Sequence, residues 1–443
     1  MDRGGTPLFR SLYPVSVRDP GTSVTDETRE GSPPGLGVYL HVPFCRVKCP
    51  YCAFVVYTGR EHIRDDYVEA MVTQLEREAG GTDARAAGVS RGADGRLPVR
   101  SIYLGGGTPT ALPVDRLTRL LDAVRLHFDV ADGAEITVET EPGTTSAEVF
   151  EGLVAAGVNR VTIGVQSFSQ EHLATLGRPH GVDAAHEAVA HARQAGVGSL
   201  DLDLMFGYPG QDPADWHADL DAALAHRPEH LSLYNLTVEP GTPYATRAKA
   251  GDLPLPAEDT QAEMMRAALG RCAEAGLAHY EISNFARPGH TSRHNASYWN
   301  RRPYLGIGVG AHGFLPFGGA HGHGKRWWSV RSPARYVAAV REGGTPEDEA
   351  EDLDREAAII EAAYLGLRQR AGLDRGAFED RFGPRPLAGA AGEIRRLVES
   401  GAICEDGDRL ALTDNGVIIA DYAISRIVGS LDTFWGFDTV DSC

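Results

Sequence analysis

Short apolar runs alternate with amphipathic stretches through most of the chain. The run Val38–Val42 is apolar, and Tyr67, Met71 and Leu75 then recur at helical spacing. The same pattern predicts strands at Val38–Val42, Val99–Leu104, Glu135–Glu139, Arg160–Val165, Ser199–Phe206 and His230–Leu236. It predicts helices near Asp65–Glu78, Val114–His127, Ser146–Ala156, Gln170–Thr175, Ala184–Ala195 and Glu258–Ala275. Such alternation indicates an α/β protein with a parallel sheet, curved or closed, whose active groups lie at the carboxyl ends of the strands.

The pattern changes further along the chain. Pro288–Trp328 is rich in Gly, His and aromatic residues and poorly periodic, and the acidic stretch Glu347–Glu351 is interpreted as a linker. Beyond it the chain is mostly helical, with a turn-rich piece and a helix at Gly416–Val428 that Thr413 can cap. The predicted organisation is a disordered tail (1–35), a core (36–285), a segment covering the mouth of the core (286–345) and a helical, winged-helix-like domain (346–443).

Composition excludes several classes of protein. With 42% hydrophobic residues among 443, the chain can bury a large core. It contains no apolar run of the roughly 20 residues that span a bilayer, and its start lacks the pattern of a secretory signal. A net charge of −18 disfavours binding to nucleic acids or anionic membranes. Six cysteines, three of them in one loop, favour a reducing compartment, and we expect a cytoplasmic protein.

Cys45, Cys49 and Cys52 follow the first predicted strand with the spacing C-x3-C-x2-C. Three thiolates can hold three irons of a [4Fe–4S] cluster and leave the fourth iron free to chelate a ligand. The alternatives are a zinc site or three unrelated thiols. Zinc normally takes a fourth protein ligand, and His41 is too close along an extended strand to be a convincing one.

Polar residues and glycines end the following strands. The turn Gly105–Pro109 allows a ligand to approach the backbone closely, but no Gly-Lys-Ser/Thr follows, so it is not a P-loop. Glu139, Gln166 and Asp203 lie at or near successive strand ends, and Arg178 lies in a loop after the fourth strand. Each alone is compatible with an ordinary strand-end hydrogen bond. Together they indicate one polar ligand site.

These landmarks resemble those of the oxygen-independent coproporphyrinogen oxidase-like family of radical S-adenosylmethionine (SAM) proteins. That family includes coproporphyrinogen dehydrogenases, haem chaperones of the HemW type and class C radical SAM methyltransferases. The matching runs are Tyr39–Cys45, Gly105–Pro109, Glu139, Gly157–Arg160, Gly164–Phe168, Asp203–Pro209, Tyr280–Ala286, His294-Asn295 with Tyr298-Trp299, and Gly306–Gly313. The resemblance implies a partial (β/α)6 radical SAM barrel followed by a mostly helical, winged-helix-like domain.

The resemblance also implies roles for individual residues. Cys45, Cys49 and Cys52 would bind the cluster. SAM would be bound by Gly106 and Gly107 at its methionyl part, and by Glu139, Gln166, Arg178 and Asp203 at its carboxylate and ribose. Further contacts to SAM, or to a second SAM beside it, would come from Tyr39, Tyr51, Thr108 and Thr237. The run His294–Trp299 resembles the H-N-x-x-Y-W run associated with haem binding in HemW-like proteins, so His294 is a candidate haem ligand.

Departures from the family pattern direct the functional prediction. Ala53 stands where coproporphyrinogen dehydrogenases carry another cysteine nearby and HemW-like members carry Asp, and Glu141 stands where Asn is common. We therefore predict a class C methyltransferase of specialised metabolism. It would cleave one SAM to a 5′-deoxyadenosyl radical and use a second SAM for C-methylation or cyclopropanation. A HemW-like haem chaperone is the alternative, and porphyrinogen decarboxylation ranks third.

The predicted partners follow from this chemistry. They are a small-molecule substrate, an electron donor such as flavodoxin or ferredoxin, and a companion methyltransferase. No residue is assigned a catalytic role.

Overall fold

Six parallel strands in sequential order form the centre of a twelve-stranded sheet. The computed structural model describes residues 35–433. The central strands and their helices are β1 (Leu36–Val42), α1 (Arg64–Gly81), α2 (Ala84–Ala87), β2 (Pro98–Gly106), α3 (Val114–His127), β3 (Asp129–Thr140), α4 (Ala147–Ala155), β4 (Arg160–Gln166), α5 (Gln170–Thr175), α6 (Val182–Gln194), β5 (Ser199–Phe206), α7 (Pro213–Ala225), β6 (His230–Asn235), α8 (Pro243–Lys249) and α9 (Glu258–Glu274).

The parallel strands are apolar because both faces of the sheet are covered. Every residue of β4 is buried, and Leu120, Phe150 and Trp216 from the covering helices are fully buried. Parallel sheets with helices on their faces require such continuous apolar strands. The sheet does not close, because its order runs from β12 at one edge to β7 at the other. The predicted α/β radical SAM fold with a partial barrel is confirmed.

Further strands, most of them antiparallel to their neighbours, widen the sheet on both sides. They and the helices between them are β7 (Ala278–His279), β8 (Asn284–Ala286), α10 (Arg293–Trp299), β9 (Tyr304–Ile307), β10 (His312–Leu315), β11 (Lys325–Ser329), α11 (Pro333–Arg341) and β12 (Glu347–Asp352). β9 joins β1 in parallel, and β10, β11 and β12 continue outward from it. The poorly periodic segment of the sequence thus builds one side of the sheet.

The interpretation of Glu347–Glu351 as a linker is wrong. These residues lie in β12, an exposed edge strand that pairs with β11. In this pairing Lys325 lies directly across from Asp352, and Arg326 lies directly across from Glu351. Opposite charges directly across an antiparallel pair stabilise it, which helps to explain why a strand with Ala350 as its one apolar residue forms here.

Helices around a three-stranded sheet form the C-terminal part. The elements are α12 (Arg355–Leu367), β13 (Leu373–Asp374), α13 (Arg375–Phe382), α14 (Arg385–Glu399), β14 (Ile403–Asp406), β15 (Arg409–Leu412), α15 (Asp414–Ile418) and α16 (Ala420–Val428). The predicted helix at Gly416–Val428 is interrupted at Ile419, and the predicted cap is present because Thr413 Oγ1 accepts from the Gly416 N–H at 3.0 Å. A helical C-terminal domain is confirmed.

Two parts of the sequence predictions lie outside the described residues. They are the predicted disordered tail, apart from Gly35, and the end of the chain from 434 to Cys443. No helix in residues 35–433 is long and apolar enough to cross a membrane.

Candidate cofactor and ligand site

The three cysteines of the predicted cluster lie in the loop between β1 and α1. The loop is closed at its base by hydrogen bonds from Cys45 N to Tyr57 O (3.0 Å) and from Tyr57 N to Pro43 O (2.7 Å). Cys45, Cys49 and Cys52 are all free thiols. Within residues 35–433, no group of three Cys, His, Asp or Glu side chains is gathered around one point as ligands of a single ion. In a cubane each thiolate binds a separate iron, and three thiols in one loop suit that arrangement.

Two polar side chains contact these sulfurs. The Thr108 hydroxyl lies 3.6 Å from the Cys45 Sγ, and Arg178 donates to the Cys49 Sγ at 3.5 Å. Burial raises the pKa of the Cys45 thiol to about 11, although the contact with Thr108 lowers it in part. A thiolate in such a place must be stabilised by a metal or a cation. The donor set therefore fits an iron–sulfur cluster.

The glycine turn after β2 lies directly beside this loop. The register of β1 and β2 places Val42 opposite Gly106, and the Gly107 N–H donates to Val42 O at 2.9 Å. A Cβ on Gly107 would lie 3.0 Å from the Cys45 Sγ, and one on Gly106 would lie 2.5 Å from the His41 ring. Gly106 also has a φ of 113°, which side chains rarely adopt. Only glycine at both positions keeps the backbone this close to the sulfurs.

Glu139 is held at the end of β3 by two donors. Its carboxylate accepts from the Tyr103 hydroxyl (2.8 Å) and from the Gly106 N–H (3.0 Å). Burial raises the pKa of Glu139, and these two hydrogen bonds lower it in part. The carboxylate thus fixes the glycine turn as well as facing the space above it.

Asp203 and Gln166 each have a feature that is typical of a site for a polar ligand. Asp203 Oδ1 is buried without a hydrogen-bond partner among the described residues. Burial raises the pKa of Asp203 well above its usual range, and the charges of Asp201 and Glu139 add to the effect. Gln166 has a φ of 70°, a conformation that costs free energy outside glycine and is typical of functional sites. An unsatisfied carboxyl oxygen of this kind fits a hydroxyl-bearing ligand such as the ribose of SAM.

Arg178 connects the polar site with the cysteine loop. Its guanidinium donates to Gly164 O (3.0 Å), and a Cβ on Gly164 would lie 3.1 Å from the Gln166 amide and 3.4 Å from the guanidinium. Burial alone would lower the pKa of Arg178, but the neighbouring Tyr51, Cys49 and Glu141 outweigh it and raise the pKa. Tyr51 lies beside Arg178 and also packs near Tyr244, with ring centroids 6.3 Å apart.

A cavity of about 700 Å³ lies beside Gly106 and Glu139, whereas Gly107, Gln166, Arg178 and Asp203 do not line it. One wall contains Tyr39, Gly106 and Glu139, and the Tyr39 hydroxyl bonds with His41 Nδ1 at 3.0 Å. Thr108 is buried against Cys45, and Thr237 is exposed beyond the end of β6, so neither lines this cavity. The roles predicted for the SAM-binding residues, and for a second SAM, stay predictions.

His294 lies beneath the cavity rather than facing it. It is 1% exposed, with Nδ1 bonded to the Ser101 hydroxyl at 2.9 Å and Nε2 bonded to the Tyr298 hydroxyl at 2.8 Å. Burial lowers the pKa of His294 to about 3. Because both ring nitrogens are engaged, neither is free to bind a metal in this conformation. The ring instead orients Tyr298, which lines the cavity.

The cavity is also lined by residues in and after the strands on the other side of β1. Tyr304, His312 and Trp328 come from β9, β10 and β11, and Arg331 follows β11. His312 stacks on Trp328 with ring centroids 5.4 Å apart. The sequence signal was the run Gly306–Gly313, which matched the family pattern without a function attached to its histidine.

Comparisons with known proteins match both parts of the chain. Residues 39–223 match the model of the radical SAM superfamily, and residues 353–419 match that of the HemN C-terminal domain. The heme chaperone HemW of Mycobacterium tuberculosis is 36% identical over 399 residues, which cover 89% of this chain and 95% of the relative. The heme chaperone HemW of Bacillus subtilis is 34% identical, covering 89% of this chain and 99% of its own. This chain belongs to the HemN/HemW family of radical SAM proteins.

A solved structure has a similar fold. Coproporphyrinogen III oxidase (HemN) from Escherichia coli superposes with a TM-score of 0.74 at 23% identity, covering 91% of each chain. Members of the radical SAM superfamily hold a [4Fe–4S] cluster and SAM, and the site described above fits both groups.

The prediction of a class C methyltransferase is wrong. The relatives from Mycobacterium tuberculosis, Bacillus subtilis and Escherichia coli are named heme chaperones, and they support the alternative instead. Methylation, cyclopropanation and a place in specialised metabolism find no support in these comparisons. The error came from the weight given to Ala53 and Glu141, two local departures in a chain that otherwise follows the HemW pattern.

Proposed function

We propose that this protein is a HemW-like haem chaperone, which binds haem beside a SAM-bound [4Fe–4S] cluster. The similarity to HemW over 89% of the chain carries this proposal. The cavity supports it, because the aromatic residues Tyr304 and Trp328 line the same space as Gly106 and Glu139, the residues that we propose contact SAM. The absence of a further cysteine in Ala53-Phe54 also separates the chain from coproporphyrinogen dehydrogenases.

The protein's own groups would prepare the site for this chemistry. The cluster, when bound, supplies an electron for reductive cleavage of SAM. Arg178 neutralises the thiolate of Cys49, Glu139 holds the glycine turn against the cysteine loop, and Asp203 offers an unpaired acceptor. Cleavage of SAM and binding of haem can be measured independently.

A haem titration of the anaerobically reconstituted full-length chain tests the proposal. We expect saturable binding of about one haem per chain, and transfer of that haem to a haem-free acceptor such as apomyoglobin. Haem bound to serum albumin provides the reference for passive transfer. Absence of saturable binding, or transfer no faster than from albumin, would overturn the proposal.

A further inference from the structure

The part of the cavity formed by β9, β10, β11 and the residues after β11 offers three kinds of group that match one ligand. His312 is exposed there, and its ring makes no hydrogen bond to any residue between 35 and 433. Tyr304 and Trp328 are aromatic, and Tyr298 meets Tyr304 edge to face with ring centroids 4.6 Å apart. Arg331 is exposed and lines the same cavity.

Haem presents the complementary chemistry. Its iron takes an imidazole nitrogen, its macrocycle is flat and apolar, and its propionates are anionic. A cavity of about 700 Å³ is within the usual range for ligands of this size. Aromatic faces cover the macrocycle, and an arginine pairs with a carboxylate through two N–H groups.

His294 does not supply this combination. Both of its ring nitrogens are engaged, by Ser101 and Tyr298, and its backbone N–H donates to Glu135 at 2.9 Å. Freeing the ring would break its hydrogen bond to Ser101, which joins α10 to β2. His312, by contrast, pairs through its backbone with Trp328 in β11, and its ring stacks on Trp328 without a hydrogen bond to any residue between 35 and 433.

We propose that His312 is the axial ligand of haem iron in this protein, with Trp328 stacked on its imidazole and Arg331 at a propionate. His294 is then a positioning residue, which acts through its hydrogen bond to the Tyr298 hydroxyl. This inference rests on the proposed haem-binding function and adds the ligand and its surroundings to it.

Haem difference spectra and electron paramagnetic resonance of the ferric complex test the assignment. His312→Ala should weaken haem binding by more than about tenfold, the lower end of what loss of even a supporting contact costs a metal site. His312→Met should keep haem bound with a changed ligation spectrum, and it introduces no extra thiol beside the cysteine loop. His294→Ala should weaken binding by at most about tenfold and leave the ligation spectrum unchanged.

His321 is the matched control, because it is exposed on the turn between β10 and β11 and does not line the cavity. His321→Ala should behave as the wild type. If the wild type binds haem while His312→Ala and His312→Met keep its affinity and spectrum, the assignment fails and the chaperone proposal stands. Loss of the ligation spectrum in His294→Ala alone would likewise overturn the assignment. Failure of the wild type to bind haem overturns both proposals.

Discussion

The guanidinium of Arg178 donates a hydrogen bond to the sulfur of Cys49 over 3.5 Å. The two residues are far apart in the chain, yet they join the loop after β4 to the loop after β1. Hydrogen bonds and positive charge at cluster sulfurs stabilise the more negative, reduced state of an iron–sulfur cluster. Arg178 is therefore placed to set the reduction potential.

Removing this charge should lower the reduction potential. We expect Arg178→Gln to shift the potential of the SAM-free cluster downward by tens of millivolts, since about 59 mV corresponds to a tenfold change in a one-electron equilibrium. Arg178→Lys retains the charge and should shift it less. A redox titration followed by electron paramagnetic resonance measures the difference. An unchanged potential in Arg178→Gln would show that the contact with Cys49 is not maintained in the cluster-bound protein.

Gly107 should be essential for cluster assembly. A Cβ there would lie 2.9 Å from the Pro43 carbonyl carbon and 3.0 Å from the Cys45 sulfur, so the cysteine loop would have to move. Gly107→Ala should hold well below about four irons per chain after anaerobic reconstitution, the content of a complete cubane. Gly80→Ala in α1, where an added Cβ meets nothing within 4 Å, is the control and should load fully. Full loading of Gly107→Ala would contradict the close approach.

Glu139 should serve both SAM and the glycine turn. Glu139→Gln should weaken SAM binding about tenfold to a hundredfold, because losing a hydrogen bond to a charged group costs about 1.5–3 kcal/mol. Cluster content should stay near that of the wild type. Tyr103→Phe removes one donor to the carboxylate but leaves its charge, so it should have a smaller effect. Equilibrium dialysis of SAM measures both variants, and wild-type affinity in Glu139→Gln would exclude it from the site.

Much of the central sheet could be predicted from the sequence, because its parallel strands are continuous apolar runs. The predicted strand Ser199–Phe206 and helix Val114–His127 agree with β5 and α3 to the residue. The cysteines, Glu139 and Gln166 lay at strand ends, and parallel strands bring their carboxyl ends to one edge. α7 was missed although Asp212 and Asp215 form a capping box at its start.

The features that could not be predicted from the sequence depend on contacts between segments that are distant in the chain. β12 has no apolar residue pattern and depends on Lys325 and Arg326 across from it. The wall containing His312 and Trp328 exists only because β10 and β11 pair with each other and join β9 beside β1. The burial of His294 likewise depends on Ser101 and Tyr298, which are distant from each other in the chain.

Glu281 should make the stability of the protein depend on pH. Burial raises its pKa from 4.5 to about 7, and its carboxylate accepts from the Ser283 N–H at 3.2 Å. The folded protein therefore binds a proton that the unfolded chain releases, so the stabilisation from the protonated form is complete below pH 4.5 and is lost as the pH rises to about 7. The loss is at most about 3 kcal/mol.

Glu281→Gln keeps a carbonyl acceptor without the charge, so its unfolding free energy relative to the wild type should rise between pH 5 and pH 8. Urea unfolding at both pH values measures this, and the same change at exposed Glu399 should leave the wild-type profile unaltered. Equal differences at the two pH values would show that Glu281 is solvated in the folded protein.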